Sequence, residues 1–153
     1  MKTTALLKFS YLFLLVISFA YSAMGQAEPK NLSKMKILIH ITTGPENPTK
    51  AALGFLMAKT AIEEGHSVTL FLAGDAVQLF RNEVLDNLTG LGTGKLRDHY
   101  DAIIKGGGKF YLSGMSSKAR GVLEGDLKDK SAEFAMPKVL LQLAIDSDRM
   151  FAY

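Results

Sequence analysis

From Met35 onward the chain alternates short β-branched runs with segments whose apolar positions recur every three or four residues. Lys36 to Ile41 (KILIHI) predicts a strand, and Thr42-Thr43-Gly44-Pro45 breaks it. Asn47 is placed to cap a helix beginning on Pro48, where a missing N–H costs nothing. Along that helix Ala51, Phe55, Ala58 and Ile62 fall on one side, and Gly65 supplies the stop. Ser67 to Leu72 (SVTLFL) predicts the second strand, after which Asp75 caps a short helix reaching Phe80. A strand-helix-strand unit of this kind crosses over right-handedly and makes its two strands parallel.

Arg81 to Gly94 loses the period. Leu85, Leu88 and Leu91 are apolar, but Gly90, Gly92 and Gly94 interrupt them, which predicts a mobile surface loop. Helical spacing returns over Lys95 to Lys105, with Leu96, Tyr100, Ile103 and Ile104 on one side and Gly106 to Gly108 as terminator. Lys109 to Leu112 predicts a third strand, Ser116 to Leu123 a short helix, and Glu133 to Ala135 a weak fourth strand. Met136 to Asp146 is a helix with Val139, Leu140, Leu143 and Ala144 facing inward, and Arg149 to Tyr153 is a closing strand. The alternation gives a doubly wound α/β fold, a mainly parallel five-stranded sheet with helices on both faces, flavodoxin-like in class.

The first 25 residues stand apart from this domain. Lys2 and Lys8 precede an apolar run, Tyr11 to Tyr21, and Ala23 and Gly25 sit at the -3 and -1 positions of a cleavage site before Gln26. The expected organisation is a signal peptide over 1–25, a flexible leader over 26–34 and one domain over 35–153; an uncleaved anchor is the alternative, disfavoured by the shortness of the run. The expected product is exported, and periplasmic if the source is a Gram-negative bacterium. Setting Lys2 and Lys8 aside reduces 18 basic side chains to 16, against 15 acidic ones, so the exported chain is close to neutral. A nucleic-acid partner, which needs a concentrated basic face, is not expected. The chain contains no cysteine, which excludes disulfides, thiolate metal sites, persulfide carriage and a lipoprotein anchor. No His/Asp/Glu spacing suggests a metal, and no cofactor is predicted.

In an open parallel sheet the loops after the carboxyl ends of the strands share one rim, where ligands bind. Three loops are predicted to converge there, bringing together Thr42, Thr43, Asp75, Ser113, Ser116 and Ser117. A helix beginning near Ser116, with Lys118 and Arg120 close by, would suit a small anion. The competing reading is that these hydroxyls only cap turns and the helix. Gly90-Leu91-Gly92-Thr93-Gly94-Lys95 lacks the spacing and the preceding strand of a phosphate loop. The sequons at Asn31 and Asn87 matter only in a eukaryotic source.

The opening strand, the segment from Thr43 to Phe80, the segment SGMSSKARG from Ser113 to Gly121 and the closing DSDRMFAY together resemble the DsrE/DsrF-like sulfur-handling proteins. In that family the sulfur-relay members carry a cysteine seven residues before the arginine of an Arg-Gly pair. Counting back from Arg120-Gly121 reaches Ser113, and a second cysteine position of some relatives reaches Ser116. The resemblance implies the fold, assembly into trimers or hexamers, and a link to sulfur metabolism through partners. It does not carry over the relay itself, because an unassisted hydroxyl at neutral pH neither attacks sulfur nor holds it as a persulfide. A serine nucleophile would need a base within reach, and no spacing ties His40, His66 or His99 to Ser113. The leading expectation is therefore a non-catalytic, exported domain that binds a small ligand or protein partner at the Ser113 rim. An enzyme using Ser113, Ser116, Lys118 and Arg120 on an anionic substrate is one alternative. The other is a purely structural subunit of a homo-oligomer, with Met57, Met115 and Phe134 as interface candidates against their ordinary use in core packing.

Overall fold

The first strand, β1 (Lys36–Ile41), lies between two parallel neighbours, β2 (Ser67–Leu72) and β7 (Arg149–Ala152). β5 (Lys109–Ser113) and then β6 (Ala132–Ala135) extend the sheet beyond β2, so the order is β6-β5-β2-β1-β7, with every pairing parallel. The computed structural model describes residues 33–153; the expected signal peptide, nearly all of the leader and the Asn31 sequon lie outside the described residues. Among the described residues no helix is long and apolar enough to cross a membrane.

Alternation along the strands sets the two faces of the sheet. Ile37, Ile39, Ile41, Val68, Leu70, Leu72, Phe110 and Leu112 join the main core with Ala51, Phe55 and Ala58 of α1 (Pro48–Glu63). Leu96, Tyr100 and Ile103 of α3 (Leu96–Lys105) close the same core. The opposite face holds Leu38 and Phe71, covered by Val139, Leu140, Leu143 and Ala144 of α6 (Pro137–Asp146). This asymmetry follows from the strand order. The first three connections step outward from β1 to β6 across one face, and the last returns past them all to β7; right-handed crossing then requires α6 to run over the other face. The order differs from the flavodoxin order, in which the second strand lies outside the first. The second face is thinly covered. No residue of α6 is buried, and all four residues of β7 are exposed.

Local chemistry accounts for the boundaries. Asn47 Oδ1 accepts the Lys50 N–H at 3.1 Å with Pro48 in the first turn, as expected for α1. Asp75 does not cap the segment after β2. That segment is a 3-10 helix (Gly74–Phe80) with Ala73 at its N-cap and no side-chain cap, and the Asp75 carboxylate is drawn instead to Arg120. The mobile loop expected over Arg81–Gly94 is also corrected: it contains α2 (Asn82–Leu85) and a small antiparallel pair, β3 (Thr89–Gly90) with β4 (Gly94–Lys95). Leu85 is fully buried and anchors it, while Gly92 and Gly94 take the positive φ of 75° and 84° that the turn demands. The glycines that obscured the helical period are thus the turn itself.

The helix expected from Ser116 begins earlier. α4 spans Gly114–Arg120, capped by Ser113, and ends on Gly121 in the left-handed conformation; a further turn, α5 (Glu124–Leu127), follows. Met57 and Phe134 pack against the main core, and Met115 is exposed.

Candidate functional site

The carboxyl ends of β1, β2 and β5 bring three loops into contact. The backbone N–H and Oγ1 of Thr42 both donate to the Tyr153 carbonyl, at 2.8 and 3.1 Å, fastening the end of β1 to the chain leaving β7. The Thr42 carbonyl in turn accepts from the Ala76 N–H at 3.3 Å. Gly44 approaches the next loop so closely that a Cβ there would lie 2.4 Å from the Asp75 carbonyl oxygen. On the other side, the Gly74 N–H donates to Ser116 Oγ at 3.0 Å, and Arg120 Nε donates to Asp75 Oδ1 at 2.7 Å. Arg81 completes the arrangement by donating from its guanidinium to the Arg120 carbonyl.

Of the predicted residues, the structure joins Thr42, Asp75, Ser113, Ser116 and Arg120 in one hydrogen-bonded rim, with Thr43 partly buried in the first loop. Lys118 projects into solvent. Ser117 is turned inward, 1% exposed, and its Oγ has no partner. Arg81 was hidden from sequence reasoning, because its contact spans 39 residues and its neighbours show no helical period.

Ser113 is 8% exposed, and its hydroxyl accepts the Ser116 N–H at 3.3 Å, the position and contact of an N-cap. No histidine reaches it. His66 Nδ1 accepts from the Met35 N–H at 3.4 Å, and His99 Nε2 donates to the Thr93 carbonyl at 2.6 Å, holding the β3–β4 turn. His40 lies on the α6 face, with its ring edge-on to Phe71 at 5.9 Å between centroids and its Nε2 buried without a partner. The basic charge of the rim is largely spent as well. Arg120 is paired with Asp75, so an incoming anion would have to displace a carboxylate. With side chains 29% and 51% exposed, that pair contributes at most about 1 kcal/mol. Among the described residues no group of three or more His, Asp or Glu side chains is placed to hold a metal ion.

Burial lowers the His40 pKa from its ordinary 6.5, which gives a pH prediction. The unfolded chain binds the proton more readily than the folded one, so stability is fully present above 6.5 and declines as pH falls through 6.5. Urea titrations from pH 8 to pH 5 are expected to show this loss, with a slope of at most about 1.4 kcal/mol per pH unit from this one group. His40→Leu should flatten the profile in that window, and an unchanged slope would assign the dependence to other groups.

Residues 35–153 match the family model described as DsrE/DsrF-like. The crystal structure of the ychN protein from E. coli superposes with a TM-score of 0.66 at 19% identity, covering 78% of this chain and 99% of that one. A conserved protein of unknown function from Bacteroides thetaiotaomicron, BT1422, superposes with a TM-score of 0.56 at 14% identity, covering 77% of this chain and 94% of that one. A search of curated proteins gave no match.

Proposed function

Since the chain belongs to the DsrE/DsrF-like family, a family of sulfur-relay type, we propose that it is an exported, non-catalytic member that binds a small ligand or a protein partner at the Ser113 rim, as an accessory to sulfur metabolism. One observation carries this reading: the residue at the family thiol position is a buried serine whose hydroxyl is engaged as the cap of α4, with no histidine beside it. A hydroxyl so placed has neither the thiolate that carries sulfane sulfur nor the base that would make it a nucleophile. The scaffold around it is nevertheless in place: Ser116 and Arg120 tie the loop after β5 to Gly74 and Asp75 of the loop after β2, and the Thr42 carbonyl ties the loop after β1 to Ala76. Export rests on the charge and hydropathy pattern of residues 1–25.

Native mass spectrometry of the purified protein, with co-purifying species retained, tests the reading. A bound species should be lost in a folded Ser116→Ala/Arg120→Gln variant. Retention by the variant would sink the rim assignment, and a bare monomer from every extract would sink the binding reading itself.

A second reading, a homo-oligomer, is favoured by the thinly covered face. Met136 just before α6, Leu141 and Ile145 within it, and Met150 and Phe151 of β7 are between 39% and 68% exposed, apolar surface of the kind that subunit contacts cover. Sedimentation is expected to show a trimer or hexamer, and Leu141→Asp/Ile145→Asp should shift it to the monomer. An assembly that survives both substitutions would place the interface elsewhere.

A further inference from the structure

A cleft of about 530 Å³ lies between α3 and the turn after α5, away from the rim; its lining includes Arg97, Tyr100, Ile104, Lys105, Lys128 and Lys130. Its volume is within the range of small-ligand sites. Four of those six side chains are cationic, against two carboxylates, Asp101 and Asp129, in the same lining. Arg97 is committed to Asp86 at 2.8 Å and Asp101 at 3.7 Å, whereas Lys105 and Lys128 are exposed and have no ion pair among the described residues. These two ammonium groups are therefore free to meet an anion.

The walls are held in place before any ligand arrives. Lys130 crosses from the turn to the core, donating to the Phe80 and Asp126 carbonyls, with its ammonium 5.8 Å from the centre of the Phe80 ring. Between the walls Asp129 adopts φ 60°, the one positive φ outside glycine among the described residues, so the turn carrying Lys128 has a defined shape. Burial lowers the Lys130 pKa, and a bound anion would oppose that shift. Half-buried Ile104, beside the small exposed edge of Tyr100, places apolar surface next to the cations, which inorganic ions cannot use and an organic body can.

We propose that this cleft binds a small organic anion, with its phosphate or sulfonate head between Lys105 and Lys128 and its apolar body against Ile104 and the exposed edge of Tyr100. The site is independent of the Ser113 rim, so the two readings stand or fall separately.

Amide NMR titration of the purified protein at low ionic strength, with phenyl phosphate as probe and inorganic phosphate as comparator, tests it. Expected are saturable shifts centred on residues 97–105 and 126–131, with inorganic phosphate binding at least about tenfold more weakly. Lys105→Ala/Lys128→Ala should weaken phenyl phosphate by at least about tenfold while leaving the melting temperature near that of the parent. If the double variant does not fold, Lys128→Gln alone should weaken it by about threefold or more. Non-saturating shifts, shifts centred on residues 113–120, equal affinity for the two probes, or variants that bind like the parent would each overturn the proposal.

Discussion

Replacing Phe110 with alanine is expected to remove about 3–5 kcal/mol of stability, a large share of the 5–15 kcal/mol typical of a domain. The side chain is 1% exposed and sits in β5, a central strand. Its ring centroid lies 5.0 Å from Phe80, 5.4 Å from Tyr100 and 5.5 Å from Phe55, so one truncation removes a contact from three rings at once. Those rings come from three different elements: Phe55 from α1, Phe80 from the 3-10 helix and Tyr100 from α3. No single segment can therefore collapse into the space, and the cost should fall at the high end of the range. Urea denaturation would show a lower midpoint with an unchanged m-value. Phe110→Leu, which refills part of the volume, should recover a good part of the loss. A deficit below about 1 kcal/mol for the alanine variant would mean that the cluster does not organise the core.

The residues of that cluster show what the sequence could reveal. Phe55, Tyr100 and Phe110 fall on apolar positions of a clear helical or strand period, and each is buried where the period places it. Phe80 could be placed in a short helix, but its 3-10 form was hidden because packing, and no side-chain cap, decides it. The rim was legible in outline for the same reason: the ends of parallel strands must share one edge, whatever the side chains there do. Its inner contacts were not. Ser113, Ser116 and Ser117 are chemically alike within one turn, and their roles are separated only by distant partners. The Gly74 N–H, 42 residues away, claims Ser116 Oγ, which leaves Ser113 to cap α4 and turns Ser117 into the core. Asp75 illustrates the same limit. A capping residue by type, it is recruited over 45 residues by Arg120. The strand order was equally beyond local pattern, because an outward step and a return use the same kind of helix.

At the rim itself the largest effect belongs to Gly44→Ala, expected to cost about 1–3 kcal/mol. A Cβ at this position would lie 2.4 Å from the carbonyl oxygen and 2.6 Å from the carbonyl carbon of Asp75. Both are backbone atoms, so no rotamer change relieves the clash and the loops after β1 and β2 must separate. Separation moves Asp75, and with it the carboxylate held at 2.7 Å by Arg120 Nε. Two readouts should therefore change together: the urea midpoint falls, and the Arg120 Nε–H resonance shifts towards that of a free guanidinium. Gly125→Ala supplies the opposite sign. It lies in α5 with nothing within 4 Å of the new methyl group and no positive φ, so it should stabilise by about 0.4–1 kcal/mol through the unfolded chain. If Gly44→Ala instead matched the parent in both readouts, the first two loops would not be in contact, and the convergence on which the Ser113 rim depends would be lost.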